Sequence, residues 1–313
     1  MLGAPNGSLA SSSINEILMT NKYVTKRLVN KDYAKQFGYE VGWYRFVEQH
    51  GYPNIPRIFA YNPLKMERIR GMHPNTMNES SPRKTEIMNN ILDAIELLHS
   101  IGSAPACIED MKEVYLYKTI DRMRRIKKSI PAHNASSYTV NGRRVKNLLN
   151  PHHTGMMSRL FRCIQVPKRF TVIHGDPTFS NTLIDSALRV FFIDPRGYFG
   201  GSRVYGDPLY DYAKLFYSIS GSYDEFNERR FKLDIDSSEV GISINKSGWE
   251  NMAGAYESRI GEGISSIQLL QPLIWLSLAG SGKHAADNEA SIRAAFFHGL
   301  ELFDQAYEQA GLS

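Results

Sequence analysis

Residues 172–194 read Val-Ile-His174-Gly-Asp176-Pro-Thr-Phe-Ser-Asn181-Thr-Leu-Ile-Asp-Ser-Ala-Leu-Arg-Val-Phe-Phe-Ile-Asp194. With Thr171 they open on a short β-branched run, which suits a strand that delivers His174, Gly175 and Asp176 to its end. Pro177 then forces a turn. A second strand begins at Thr182, Asp185 and Ser186 make its turn, and residues 190–193 return. Such a hairpin brings Asp194 back beside Asn181, with Asp176 close by. Phosphoryl transfer needs that set: one carboxylate facing the attacking hydroxyl, and an amide oxygen plus a second carboxylate to hold Mg²⁺ on nucleotide phosphates. Mg²⁺ prefers oxygen ligands and few protein groups, so one amide and one carboxylate are a sensible pair.

The block His174-Gly-Asp176-x4-Asn181, followed by an apolar strand and Asp194, resembles the aminoglycoside phosphotransferase and choline kinase-like family. The resemblance implies that Asp176 is the base or orients the hydroxyl, that Asn181 and Asp194 are the metal ligands, and that His174 packs behind the catalytic loop. Asp211, in Asp-Tyr-Ala-Lys-Leu, resembles the family's Asp-Leu-Ala helix, whose aspartate braces that loop from below. Arg196, in Asp-Pro-Arg-Gly, is either a contact to a phosphate or anionic substrate or a solvated turn residue.

A kinase-like reading requires an N-terminal lobe. Lys22-Tyr-Val-Thr-Lys26-Arg-Leu alternates as a strand, and the resemblance implies that Lys26 holds the α/β-phosphates and pairs with a helix glutamate. Glu40, at the head of a helical pattern, is the first choice and Glu48 the second. Gly7, Ser13 and Asn15 lie in a small, hydroxyl-rich segment that resembles the family's phosphate-covering turn, although glycine is sparse there. A frayed N-terminus is the competing reading. Residues 64–71 read as a strand entering an interlobe hinge, with Met66, Glu67 and Ile69 against the nucleotide base.

The chain has 313 residues, 42% of them hydrophobic, which suits one two-lobed enzyme. Two cysteines make neither a disulfide framework nor a metal site. No signal peptide is visible, and the longest apolar stretch, 269–280, holds Pro272 and is too short to span a bilayer. The expectation is a cytoplasmic protein without a membrane span. Net charge is +5. Its basic cluster, 122–128, lacks interleaved aromatics, so it reads as a solvated helix face or an electropositive rim for nucleotide, with no nucleic acid expected as partner.

Elsewhere the pattern predicts a helix with Ser81 as N-cap and Pro82 in its first turn, an amphipathic helix over 112–129, a hairpin around Asn141-Gly142, and a helix over 154–165. Residues 141–150 are expected to contribute to the acceptor pocket. Residues 197–201 read as flexible, and a helix follows from Pro208. Residues 220–313 read as mostly helical, strongest over 267–278 and 292–307. Gly280-Ser-Gly-Lys283 fails as a phosphate loop, because Ser277 and His284 stand where glycine and Ser/Thr are needed. His284, Asp287 and Glu289 are surface-loop residues or acceptor contacts. The short segment between Asp194 and Asp211 leaves no room for a protein kinase's activation segment and argues for a small-molecule acceptor.

These readings converge on an α+β, two-lobed protein-kinase-like fold. Residues 1–70 are the nucleotide-binding lobe and 71–313 the catalytic, acceptor-binding lobe. The resemblance implies transfer of the γ-phosphoryl of ATP or GTP, with Mg²⁺, to a hydroxyl of a small sugar-like, polyol or amino-alcohol acceptor. The wording around Asp194 and Asp211 resembles members associated with surface-polysaccharide synthesis. A catalytically degenerate kinase fold is the alternative, ahead of an aminoglycoside-resistance enzyme or a protein kinase.

Overall fold

The computed structural model describes residues 8–11, 14–281 and 289–312. The chain forms two compact units, residues 1–105 with 169–214 and residues 106–168 with 215–313.

The first unit carries an antiparallel sheet in the order β1-β2-β3-β5-β4, from Ser8–Ser11, Asn15–Met19, Tyr23–Leu28, Leu64–Glu67 and Ile58–Tyr61. Alternation along β3 turns Lys26 inward and leaves Arg27 in solvent. Opposite Lys26 stand Ile17 on β2 and Leu64 on β5. Helix α1 spans Ala34–Gln49 and buries Glu40, Trp43, Tyr44 and Val47, a stripe of helical period. Asn30 caps the preceding turn by accepting from the Asp32 N–H. The helix is already running when it reaches Glu40, so that residue lies in its second turn and not at its head.

Helix α2, Ser81–Ser100, starts where expected, but Ser80 and not Ser81 holds the cap position. Its buried face runs through Ile87, Ile91, Leu92, Ile95 and Leu98, all at or near zero exposure. Each such side chain contributes roughly 1.5–3 kcal/mol on leaving water. Strand Arg169–Val172 lies between Ser103–Pro105 and Tyr205–Gly206. The hairpin Thr182–Asp185 with Val190–Phe192 adds β6, Gly71–Met72, at its edge. Residues 197–201 are not a flexible linker: Tyr198–Phe199 pairs with Ser202–Arg203. Positive φ at Gly197 and Gly200 permits the reversal. Phe199 is buried against Phe170 and Tyr210.

In the second unit the helical run begins at Ile108, earlier than its pattern, and passes through a π segment, Lys112–Tyr117, before Lys118–Ile126. Arg124 and Arg125 face solvent, while Arg122 donates to the carbonyl and hydroxyl of Ser277. The expected hairpin forms from Ser137–Val140 and Arg143–Lys146, with φ of 50° at Asn141 and 79° at Gly142. Helix Met156–Arg162 is shorter than its pattern at both ends, and a separate 3-10 turn, Pro151–His153, precedes it. The mostly helical expectation for 220–313 fails at Phe231–Asp236 and Glu239–Ile244, which form a hairpin and extend the first one to a four-stranded sheet. Helices Ile264–Ala279 and Glu289–Gln309 follow, packed closely enough that a Cβ at Gly299 would lie 3.0 Å from Leu276. Among the described residues no helix is long and apolar enough to cross a membrane.

Candidate active site

The expected catalytic, nucleotide-binding and metal-binding residues that the structure describes all belong to the first unit, whereas residues 141–150 and Glu289, expected at the acceptor, belong to the second. Ser13, together with Gly7, His284 and Asp287, lies outside the described residues. Asn15 opens β2 opposite Leu28, and Met66 and Glu67 close β5. The N–H groups of Glu67 and Arg68 donate to the carbonyls of Arg57 and Lys22. Ile69 lines a groove of about 520 Å³ with Gly71, Met72 and Ile184. Glu289 is exposed at the start of the last helix, and Asn147 and Asn150 are spent holding the carbonyls of 133–135.

The centre of the site is an ammonium shared by two carboxylates. Lys26 Nζ donates to both Glu40 oxygens at 2.7 and 2.8 Å and to Asp194 Oδ1 at 2.8 Å. Burial works against the lysine's charge, but Asp194 and then Glu40 outweigh it and hold Lys26 above its ordinary value. Glu40 is also pushed up, to about 7, by burial and by Asp194, against the pull of Lys26. The two shifts describe one fact: two carboxylates share one cation, so the cluster carries excess negative charge that a further cation would neutralise.

The strand ends set these positions. Asp194 adopts φ 54° at the end of the returning strand, a backbone state that Asp tolerates better than most residues. It leaves the side chain half exposed. Its N–H donates to Tyr44 Oη at 3.2 Å, and Trp43 Nε1 donates to the Ile173 carbonyl at 2.7 Å. Successive residues of α1 thereby bind the strand that leads into the His174–Asp176 loop and the end of the returning strand. Gly197, at φ 71°, packs against the α1 backbone so closely that a Cβ would lie 2.2 Å from the Tyr39 carbonyl oxygen.

Around Asp176 the loop is held from three sides. Asn181 Nδ2 donates to the Asp176 carbonyl at 2.9 Å and lies 3.4 Å from its Oδ2. This use of the nitrogen leaves the amide oxygen as the end suited to a cation. Asp211, fully buried, accepts from the N–H of His174 at 2.8 Å and of Gly175 at 2.7 Å. His99 Nε2 lies 3.2 Å from the same carboxylate. His174 is fully buried; its Nδ1 accepts from the Asp176 N–H and its Nε2–H donates to the Ile193 carbonyl. Burial lowers its pKa, against the pull of Asp211, so the ring is a neutral tie between the loop and the strand leading to Asp194. Gly175 has φ 83°, and a Cβ there would meet the Arg196 Cβ at 2.9 Å.

Arg196 is not a solvated turn residue. It donates to Tyr210 Oη at 2.9 Å and lies against the rings of Tyr198 and Tyr210. Burial opposes its charge, while Tyr210 and Asp176 favour it and win. Lys214 was missed by sequence reasoning. It is buried, with Nζ 2.8 Å from Asp176 Oδ1. The spacing from Asp211 to Lys214 puts both on one helix face and was the available signal. Among the described residues no three His, Cys, Asp or Glu side chains converge as a metal cage. One carboxylate and one amide oxygen fit a hard cation that keeps waters and phosphate oxygens as its other ligands.

A family model described as the phosphotransferase enzyme family matches residues 17–240. No curated protein matches the chain. Similar solved structures include a choline/ethanolamine kinase family protein from Mesorhizobium loti, 16% identical with a TM-score of 0.53, over 98% of this chain and 93% of that one. A second is a putative aminoglycoside phosphotransferase from Ralstonia eutropha, 14% identical with a TM-score of 0.54, over 99% and 94%. A third is the streptomycin–ATP ternary complex of APH(2'')-IIa, 14% identical with a TM-score of 0.53, over 96% and 92%. The fold is the two-lobed, α+β kinase-like fold. With the family model spanning most of the chain, this protein belongs to the phosphotransferase enzyme family and is in its coarse class a small-molecule kinase acting on a hydroxyl acceptor.

Proposed function

We propose that the protein transfers the γ-phosphoryl group of ATP or GTP to a hydroxyl of a sugar-like or polyol acceptor, with amino alcohols as the next class, in the cytoplasm. The observation that carries the reading is the shared Lys26 ammonium, within 2.8 Å of both Glu40 and Asp194. A buried ammonium beside a half-exposed carboxylate is what a phosphate-binding lysine next to a metal-binding aspartate requires. In this reading Lys26, held by Glu40, binds the α/β-phosphates. Asn15 and Ser13 belong to the covering turn, and Met66, Glu67 and Ile69 contact the base. Residues 1–70 form the nucleotide lobe and 71–313 the catalytic, acceptor-binding lobe.

Asn181 and Asp194 would hold Mg²⁺, which would supply positive charge to offset the negative charge developing on the nucleotide phosphates. Asp176 orients the acceptor hydroxyl and takes its proton. Asp211 and His174 hold the loop so that Asp176 need not reorganise during the step, and catalysis is mostly positioning and charge stabilisation. The cations Lys214 and Arg196 beside Asp176 favour a neutral or anionic acceptor over a polycationic one. A role in surface-polysaccharide synthesis accords with a sugar-like acceptor.

The test incubates the protein with Mg²⁺ and ATP or GTP and a pooled set of sugars, polyols, amino alcohols and aminoglycosides. Mass spectrometry then seeks any component that gains one phosphoryl group. Asp176→Asn, the blank, should lose at least about a hundredfold in turnover while binding nucleotide normally. A product formed equally by the variant refutes the role of Asp176. Nucleotide binding without any product favours the degenerate-kinase alternative.

A further inference from the structure

We propose that Lys214 is a catalytic residue of this chain: it grips the Asp176 carboxylate in the free protein and the transferring phosphoryl group during the reaction. The proposal rests on the kinase reading above. Lys214 lies one helical turn beyond Asp211, and the two face the same loop. Asp211 takes its backbone, through the N–H groups of His174 and Gly175. Lys214 takes its reactive side chain, with Nζ 2.8 Å from Asp176 Oδ1 and little of the side chain exposed.

The shape of the loop does not need this cation. Asp211 already fixes the backbone, Asn181 binds the Asp176 carbonyl, and His174 ties the Asp176 N–H to the returning strand. Burying an ammonium costs free energy that its ion pair commonly fails to return. A neutral donor would hold one carboxylate oxygen at lower cost. The charge itself therefore calls for a use. In-line transfer spreads negative charge over the three equatorial oxygens of the moving group, and a preorganised cation stabilises that charge without rearranging water.

The geometry supplies the proximity. An acceptor hydroxyl oriented by Asp176 must sit within hydrogen-bond reach of the carboxylate that Lys214 also touches, which puts the ammonium within about 5–7 Å of the reacting oxygen. The lysine stem spans what remains by a rotamer change. In the step, the acceptor oxygen forms the new bond to the γ-phosphorus. The bond from that phosphorus to the β–γ bridging oxygen breaks, and its electron pair leaves on the nucleoside diphosphate. The hydroxyl proton passes to Asp176. Lys214 keeps its proton throughout and exchanges a carboxylate oxygen for a phosphoryl oxygen.

The test needs no knowledge of the acceptor. Calorimetry measures binding of Mg²⁺ with ADP or GDP, alone and with aluminium fluoride, which mimics the phosphoryl group in flight. Wild-type protein should bind the diphosphate more tightly with fluoride present. Lys214→Met should bind the bare diphosphate within about twofold of wild type yet lose roughly tenfold or more of that tightening. Lys214→Arg, which keeps the charge, should retain most of it. Tightening that survives in Lys214→Met, or is absent from the wild type, overturns the role of Lys214 and leaves the kinase reading standing. A Lys214→Met protein that also melts early and loses the bare diphosphate has lost a structural residue, and the proposal falls. Wild-type protein that binds neither diphosphate removes the kinase reading, and this proposal with it.

Discussion

Replacing Asp211 with asparagine tests whether one buried carboxylate holds the catalytic loop. Its oxygens accept from the N–H groups of His174 and Gly175 at 2.8 and 2.7 Å, and the side chain has no exposure to water. Charge-assisted hydrogen bonds of this kind contribute about 1.5–3 kcal/mol each. Asparagine is nearly the same size but keeps a single acceptor. Its amide nitrogen would face a buried N–H, leaving one donor unsatisfied at a cost of about 1–3 kcal/mol. The loss of one charged bond and the stranding of one donor together give roughly 3–5 kcal/mol. Because the chain has two units, a single unfolding midpoint can mix their contributions. Amide hydrogen exchange at His174 and Gly175 reads the loop directly. Both should lose protection by a margin matching that energy, and turnover should fall with them. Protection changed by less than about 1 kcal/mol would refute the clamp, since it lies below the cost of one stranded donor.

Two further predictions concern residues outside the reacting atoms. Gly197→Ala forces an L-residue to φ 71° and a Cβ to 2.2 Å from the Tyr39 carbonyl oxygen, so it should cost about 3 kcal/mol and weaken nucleotide binding by displacing the helix that carries Glu40. Gly38→Ala, on the same helix with nothing near its Cβ, should be neutral or stabilising by up to about 1 kcal/mol; equal effects in denaturant titrations of the two would refute the close docking. Burial lowers the pKa of His298, which lies against the ring of Trp275, to about 4 from its usual 6.5. A depressed histidine stabilises the fold fully above pH 6.5 and loses that contribution as pH falls towards 4, here about 3 kcal/mol. The pH dependence of the denaturant midpoint should flatten by that amount in His298→Gln, and an unchanged slope would show that the ring is not buried neutral.

Much of the site was legible because its parts are close in the chain. His174, Asp176, Asn181 and Asp194 belong to one strand–turn–hairpin unit whose turns are written in Pro177, Asp185 and Ser186, and the hairpin Thr182–Asp185 with Val190–Phe192 forms as its alternation implied. Their chemical roles are proposals that the turnover and binding experiments test. The hairpin Phe231–Asp236 with Glu239–Ile244 is equally local, against the helical expectation for its surroundings: Phe-Lys-Leu-Asp-Ile-Asp alternates apolar and polar residues, and Asp236-Ser-Ser makes its turn.

What the sequence by itself determined is local: which runs are strands or helices, where they turn, and which side chains share a face. Period and turn chemistry act over a few residues, and so they can be read without the fold. The tertiary structure alone decided which distant groups meet. Lys26 reaches Asp194 across 168 positions of chain, and the Trp43 indole finds the Ile173 carbonyl across 130. It decided that Arg196 lies against two tyrosine rings and that Lys214 faces Asp176. Nothing in a short window encodes such pairings. They arise when buried faces pack and every polar group carried inside must find a partner, and that condition is met only by the whole chain at once.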